Sequence, residues 1–173
     1  MKIYICEICG DATIAKERPS ECPFCGAAGN YIKDGAEARP VFDREGELSE
    51  ETKKRMEETY KLEVDAVAIY NCMASEAKSY ETKAMYKRLA KVELEHASIV
   101  TKFLGSEKPQ VGEEKCSSDE VENFKRTIDL EDNASKIYAG FAKESTEERA
   151  KIFWTALSRV EASHIELIQN YLK

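Results

Sequence analysis

Leu89-Ala90-Lys91-Val92-Glu93-Leu94-Glu95-His96 and Leu157-Ser158-Arg159-Val160-Glu161-Ala162-Ser163-His164 are one pattern written twice, 68 residues apart. Leu, Val, Glu and His recur at the same steps, and the chain's only two histidines are both in it. On an α-helix, residues three apart stand ~60° apart on one face, so each Glu-x-x-His grips from one side. The register extends without gaps: Leu62-Glu63 matches Leu130-Glu131, Ile69-Tyr70 matches Ile137-Tyr138, and Glu76 matches Glu144. Two copies of so long a unit describe a duplicated helical hairpin, and two such hairpins close into a four-helix bundle. Periodicity predicts helices over 50–78, 80–104, 119–144 and 146–172. Ser49, ahead of Glu50 and Glu51, reads as an N-cap, and Ser145-Thr146-Glu147-Glu148 as a capping box.

Glu63 precedes Glu93 by 30 residues, and Glu131 precedes Glu161 by the same interval. The midpoints, Lys78 and Thr146, adjoin the breaks at Ser79 and Ser145. Residues equidistant from the turn of an antiparallel hairpin share one height, so four glutamates and two histidines meet in one layer. Leu89, Ala97 and Val100 flank the first motif, and Leu157, Ile165 and Ile168 the second, which turns both toward the core. A single Glu-x-x-His is usually a solvated face. Four buried carboxylates without compensation, however, would cost on the order of several kcal/mol each. Two divalent cations remove that cost, so the pattern reads as a two-metal site of carboxylate and histidine donors, suited to iron or manganese. Tyr70 and Tyr138, seven residues past Glu63 and Glu131, share the ligand face two turns away. They read as hydrogen-bond donors to the ligands, electron relays, or plain core aromatics.

The first 35 residues have another character. Cys6, Cys9, Cys22 and Cys25 form C-x2-C-x12-C-x2-C, with a glycine after each pair, Gly10 and Gly26. The spacing predicts two tight knuckles around a closed four-thiolate site, for zinc or iron. Short strand-like pieces lie at Lys2–Ile5 and Asn30–Lys33, and a polar stretch with Pro40 and Gly46 follows. The expected organisation is a four-cysteine metal domain over 1–35, a linker over 36–48 and the bundle over 49–173. The hairpins 49–104 and 119–173 are joined by 105–118. That segment can run the bundle's length: the 25-residue helix before it is ~38 Å long, and fourteen extended residues reach ~46–50 Å. Such a crossover would also permit exchange of hairpins between chains. Cys72 reads as a small core residue and Cys116 as an unpaired loop thiol.

Of the 173 residues, 42% are apolar, enough for a core, and 34% are charged, which excludes disordered and membrane classes. A net charge of −7 without a basic run argues against nucleic-acid binding. No secretory leader or membrane span is evident, so a cytoplasmic location is expected.

With a four-cysteine head and a duplicated Glu…Glu-x-x-His bundle, the chain resembles the rubrerythrins over nearly its whole length. The head comes first, as in a reverse rubrerythrin. The resemblance implies a mainly α, ferritin-like four-helix bundle with a rubredoxin-like domain. It implies Fe(Cys)4 at Cys6, Cys9, Cys22 and Cys25. It also implies a non-haem di-iron centre at Glu63, Glu93, His96, Glu131, Glu161 and His164, with manganese or zinc as alternative occupants. The implied activity is reduction of hydrogen peroxide to water in oxidative stress defence. Electrons would come from NAD(P)H through a reductase or rubredoxin, in a homodimer or higher homo-oligomer. An iron-oxidising ferritin-like protein and a zinc ribbon on a structural bundle are the competing readings. The family's additional glutamate near the third-helix ligand is missing: Ile128 and Ala134 flank Glu131, and Tyr60 and Ala66 flank Glu63.

Overall fold

A computed structural model describes all 173 residues. Three short strands, β1 (Lys2–Cys6), β2 (Ala12–Ala15) and β3 (Ile32–Asp34), make an antiparallel sheet in the order β2-β1-β3. Four helices follow: α1 (Glu50–Glu76), α2 (Tyr80–Leu104), α3 (Glu120–Glu144) and α4 (Glu148–Gln169). The mainly α bundle with a small N-terminal head is as expected. No helix is long and apolar enough to cross a membrane.

The predicted knuckles form. Gly10 and Gly26 adopt φ of +83° and +74°, where a side chain would be strained. Gly26 also faces Val160 on α4, and a Cβ there would lie 2.9 Å from Val160 Cγ1. The head therefore sits directly on the bundle, against α2 and α4. Lys102 Nζ donates to the Cys9 carbonyl (2.7 Å) and Arg88 to the Phe24 carbonyl (3.2 Å). The stretch read as a polar linker is packed: Val41 and Leu48 are buried, and Phe42 meets Phe103 edge-on at 6.4 Å. Arg149 donates to the carbonyls of Phe42, Arg44 and Gly46. Head and lower bundle share one apolar core, running from Tyr4 and Ile8 to Phe153 and Trp154.

Between Ser106 and Ser118 the chain has neither helix nor strand, and it climbs along α1. Gln110 N–H donates to Tyr60 Oη, and Cys116 lies against Cys72, twelve residues further up the helix. The segment therefore runs beside α1 from Tyr60 to Cys72 and does not close as a compact loop. The reading of Cys72 and Cys116 as unpaired is overturned: they form a disulfide, with Cα atoms 5.9 Å apart. Their separation of 44 residues concealed the pairing until the crossover's path was known.

The helix starts follow the sequence with one exception. Ser49 and Ser79 accept from the N–H groups of Thr52 and Thr82, as N-caps do. The capping box at Ser145 does not form; Ser145 ends α3, and its hydroxyl donates back to the Phe141 carbonyl. Glu147 instead turns to the other hairpin, accepting from Ser49 N–H (2.7 Å) and Thr52 Oγ1 (2.9 Å). Partial burial opposes its charge, but these bonds prevail and hold the carboxyl down to about 2. A depressed carboxyl stabilises the fold above the unfolded-state value and stops doing so as pH falls through the folded one. Glu147→Gln should cost about 0.5–1 kcal/mol at pH 7, the low end for a cap because the group is largely solvated. In urea unfolding the gap from wild type should narrow from pH 5 downward; a gap independent of pH would rule out the ionic cap.

Candidate metal centres

Every cysteine of the head quartet is buried. Cys6 Sγ lies 3.8 Å from Cys25 Sγ, and Cys9 Sγ lies 3.7 Å from Cys22 Sγ. A tetrahedron with metal–sulfur bonds of ~2.3 Å has edges of ~3.8 Å, so the quartet has the dimensions of a tetrathiolate site. Within the quartet, hydrogen bonds with Cys22 push Cys9 and Cys25 up, while Cys25 pulls Cys22 down.

Near mid-bundle, Glu63 from α1, Glu93 and His96 from α2, Glu131 from α3, and Glu161 and His164 from α4 converge, all buried. The layer that the sequence placed at one height is therefore real. It resolves into two groups, Glu63–Glu93–His96–Glu161 and Glu93–Glu131–Glu161–His164, whose ligand atoms lie within 4.8 Å of one another. His96 Nδ1 is 3.0 Å from Glu93 Oε2, 3.3 Å from Glu161 Oε1 and 3.5 Å from Glu63 Oε2. His164 Nδ1 is 3.1 Å from Glu161 Oε2, 3.3 Å from Glu93 Oε1 and 3.4 Å from Glu131 Oε1. Glu93 and Glu161 thus turn one oxygen to each group and bridge them, while Glu63 and Glu131 serve one group each. Spacing alone did not distinguish these roles.

Both oxygens of Glu93 and of Glu161, and Nδ1 of each histidine, are buried without a hydrogen-bond partner. A native core does not leave six such atoms converging on one another unless a cation satisfies them. Burial pushes Glu63 up to about 8 despite the neighbouring His96. Burial opposes charge on both histidines, but the surrounding glutamates outweigh it and hold them well above their ordinary value. Divalent cations bound at these groups would take the place of protons as the balancing charge.

The two tyrosines act across the bundle. Tyr70 Oη on α1 donates to Glu131 Oε1 on α3 (2.5 Å), and Tyr138 Oη on α3 donates to Glu63 Oε1 on α1 (2.6 Å). Each hairpin thereby orients the other's non-bridging carboxylate. Of the alternatives open in the sequence, hydrogen-bond donation is the one the geometry supplies. A contact with no sequence signal links the centres: His96 Nε2 and the Cys25 carbonyl oxygen are 2.9 Å apart. A carbonyl oxygen only accepts, so Nε2–H is the donor.

The rubrerythrin family model matches residues 54–130. Reverse rubrerythrin-1 of Clostridium acetobutylicum is 29% identical over 143 residues, which cover 78% of this chain and 75% of that protein. No solved structure matches the chain. The cysteine quartet and the carboxylate–histidine layer fit the Fe(Cys)4 and di-iron sites of rubrerythrin.

The division into bridging and single-group carboxylates has a measurable consequence. Glu161→Ala opens both groups and should abolish retention of both bundle metals. Glu63→Ala opens one group and should leave one metal in place. Metal analysis after desalting separates the two variants, and equal losses would contradict the bridging assignment.

Proposed function

We propose, from the premise that this chain is a rubrerythrin-family protein with the head placed before the bundle, that it is a non-haem di-iron peroxidase. It would reduce hydrogen peroxide to water, with electrons entering at the cysteine head from a rubredoxin or an NAD(P)H-dependent reductase. The observation that carries this reading is the 2.9 Å contact from Cys25 to His96. A protein that draws electrons from its own iron substrate has no use for a tetrathiolate centre joined to its metal layer by one hydrogen bond.

Cys6, Cys9, Cys22 and Cys25 would hold one iron, and Glu63, Glu93, His96, Glu131, Glu161 and His164 a pair. Iron so bound would supply single electrons through the head and two electrons at the layer, enough to cleave one O–O bond. The chain's own residues do the rest. The backbone of Cys25 and the imidazole of His96 form a covalent and hydrogen-bonded path from a head sulfur to the layer. Lys102, Arg88 and the Phe42–Phe103 contact keep the head at that distance. Between α1 and α3 lies a cavity of about 40 Å3, lined by Leu62, Ala66, Leu130 and Ala134 beside the glutamates. Its size suits a molecule as small as hydrogen peroxide. Ala66 and Ala134, two of the positions at which an additional glutamate was sought, leave this opening free of a further carboxylate. Tyr70 and Tyr138 hold their phenolic protons on Glu131 and Glu63, and burial raises both phenols well above their ordinary range, so each stays protonated and keeps its carboxylate oriented.

Replacing Cys9 and Cys22 by serine in one chain separates entry from chemistry. The variant should fold and load the bundle, and after chemical reduction it should oxidise once on adding peroxide. Steady turnover with NAD(P)H and a reductase should collapse. Full reductase-driven turnover would sink the relay and restore the iron-oxidising reading.

A further inference from the structure

The disulfide joins parts of the molecule that the metal layer also joins. Cys72 belongs to the α1–α2 hairpin, and Cys116 lies four residues before α3, at the entrance to the second hairpin. The crossover between them is otherwise held by few bonds: Gln110 to Tyr60, the Lys115 carbonyl to Arg126, and Ser117 to Glu122 and Asn123. Each metal group draws ligands from both hairpins. A metal therefore leaves when the hairpins part, and the disulfide ties them at the end where α1 finishes and α3 begins.

We propose that Cys72 and Cys116 are a redox-modification site. Hydrogen peroxide closes the dithiol to a disulfide, a dithiol reductant reopens it, and the closed form slows loss of the bundle's metals. In closing, one thiolate attacks a peroxide oxygen, the O–O bond breaks and hydroxide leaves, giving a sulfenic acid. The second thiolate displaces that hydroxyl as water. Two thiols lose two electrons, and the peroxide ends as two waters. Reopening is thiol–disulfide exchange, with the two electrons supplied by the reductant. Both cysteines are half-buried, within reach of a small oxidant, and Cys116 packs against the Tyr70–Met73–Phe124 cluster beside the metal layer. The pinned segment is short when oxidised: three residues separate Cys116 from α3, against the 44-residue path through α2 and the crossover when reduced.

This inference rests on the metal reading of the carboxylate layer and not on peroxidase turnover. The full chain is loaded with zinc(II), which is redox-inert, and treated with one equivalent of peroxide or with a phosphine reductant. Transfer of zinc to a chromophoric chelator is then timed, and the phase missing from Glu161→Ala is the bundle's. Alkylation and peptide mapping of the same samples should show Cys72 cross-linked to Cys116 after peroxide and separately alkylated after reduction. Release from the bundle should be at least ~10-fold slower in the oxidised protein, the low end for a staple closing so long a loop. Cys72→Ser should release at the fast rate in both conditions. Equal rates in the two wild-type samples, or both cysteines alkylated after peroxide, would overturn the proposal. Wild type that holds no bundle zinc in either state would remove the metal reading beneath it.

Discussion

Everything in this molecule is arranged around four carboxylates and two imidazoles buried in one dry layer. Isolated, such a layer opposes folding, because each charge loses its water and the like charges repel. The apolar packing reflects the problem. One cluster of side chains fills the lower bundle and runs into the head, and a second fills the upper bundle. The glutamates lie where the hairpins meet, so the cation charge that neutralises them also draws the hairpins together. Stability and the metal centre are the same interaction seen from two sides.

The head's position follows from a few close contacts. A residue without a side chain, Gly26, lets the second knuckle approach α4 at Val160. That approach brings the Cys25 carbonyl to His96, whose other nitrogen faces the carboxylates. The strap over residues 35–48 has its own apolar anchors, Val41, Phe42 and Leu48, and Arg149 gathers three of its carbonyls. The sequence read this stretch as a solvated linker because its composition is polar. Its few apolar residues carry the packing, and their spacing follows neither a helical nor a strand period.

The parts legible in the sequence were those with a period or a duplication. Glu63, Glu93, Glu131 and Glu161 share a layer because equal offsets from two hairpin turns must produce equal heights. The glycines after the cysteine pairs were legible because a knuckle requires positive φ at that place. Contacts between elements were not. The disulfide depends on the path of an irregular crossover, and the bridging roles of Glu93 and Glu161 depend on how two hairpins interlock. Ser145 and Glu148 match a local capping rule, yet Ser145 bonds back to Phe141, and Glu147, just ahead of α4, is drawn to a backbone N–H and to Thr52 of the other hairpin. A neighbour in space outweighed a neighbour in sequence.

Duplication makes the metal layer nearly symmetric: each histidine meets its own helix's glutamate, the opposite bridging glutamate and one further carboxylate. The crossed bonds from Tyr70 and Tyr138 repeat that symmetry. The head breaks it. His96 is bonded to the Cys25 carbonyl, whereas His164 borders a groove of about 540 Å3 that also touches Cys22, Arg88 and Leu167. Two metal groups with matching ligands therefore differ in their second neighbours, and such neighbours tune the basicity of a histidine and its electronic coupling. On the proposed function the His96 group is the point of entry for electrons. The His164 group lacks that bond and borders the groove instead, so the asymmetry comes from where one small domain is docked and not from the ligands themselves.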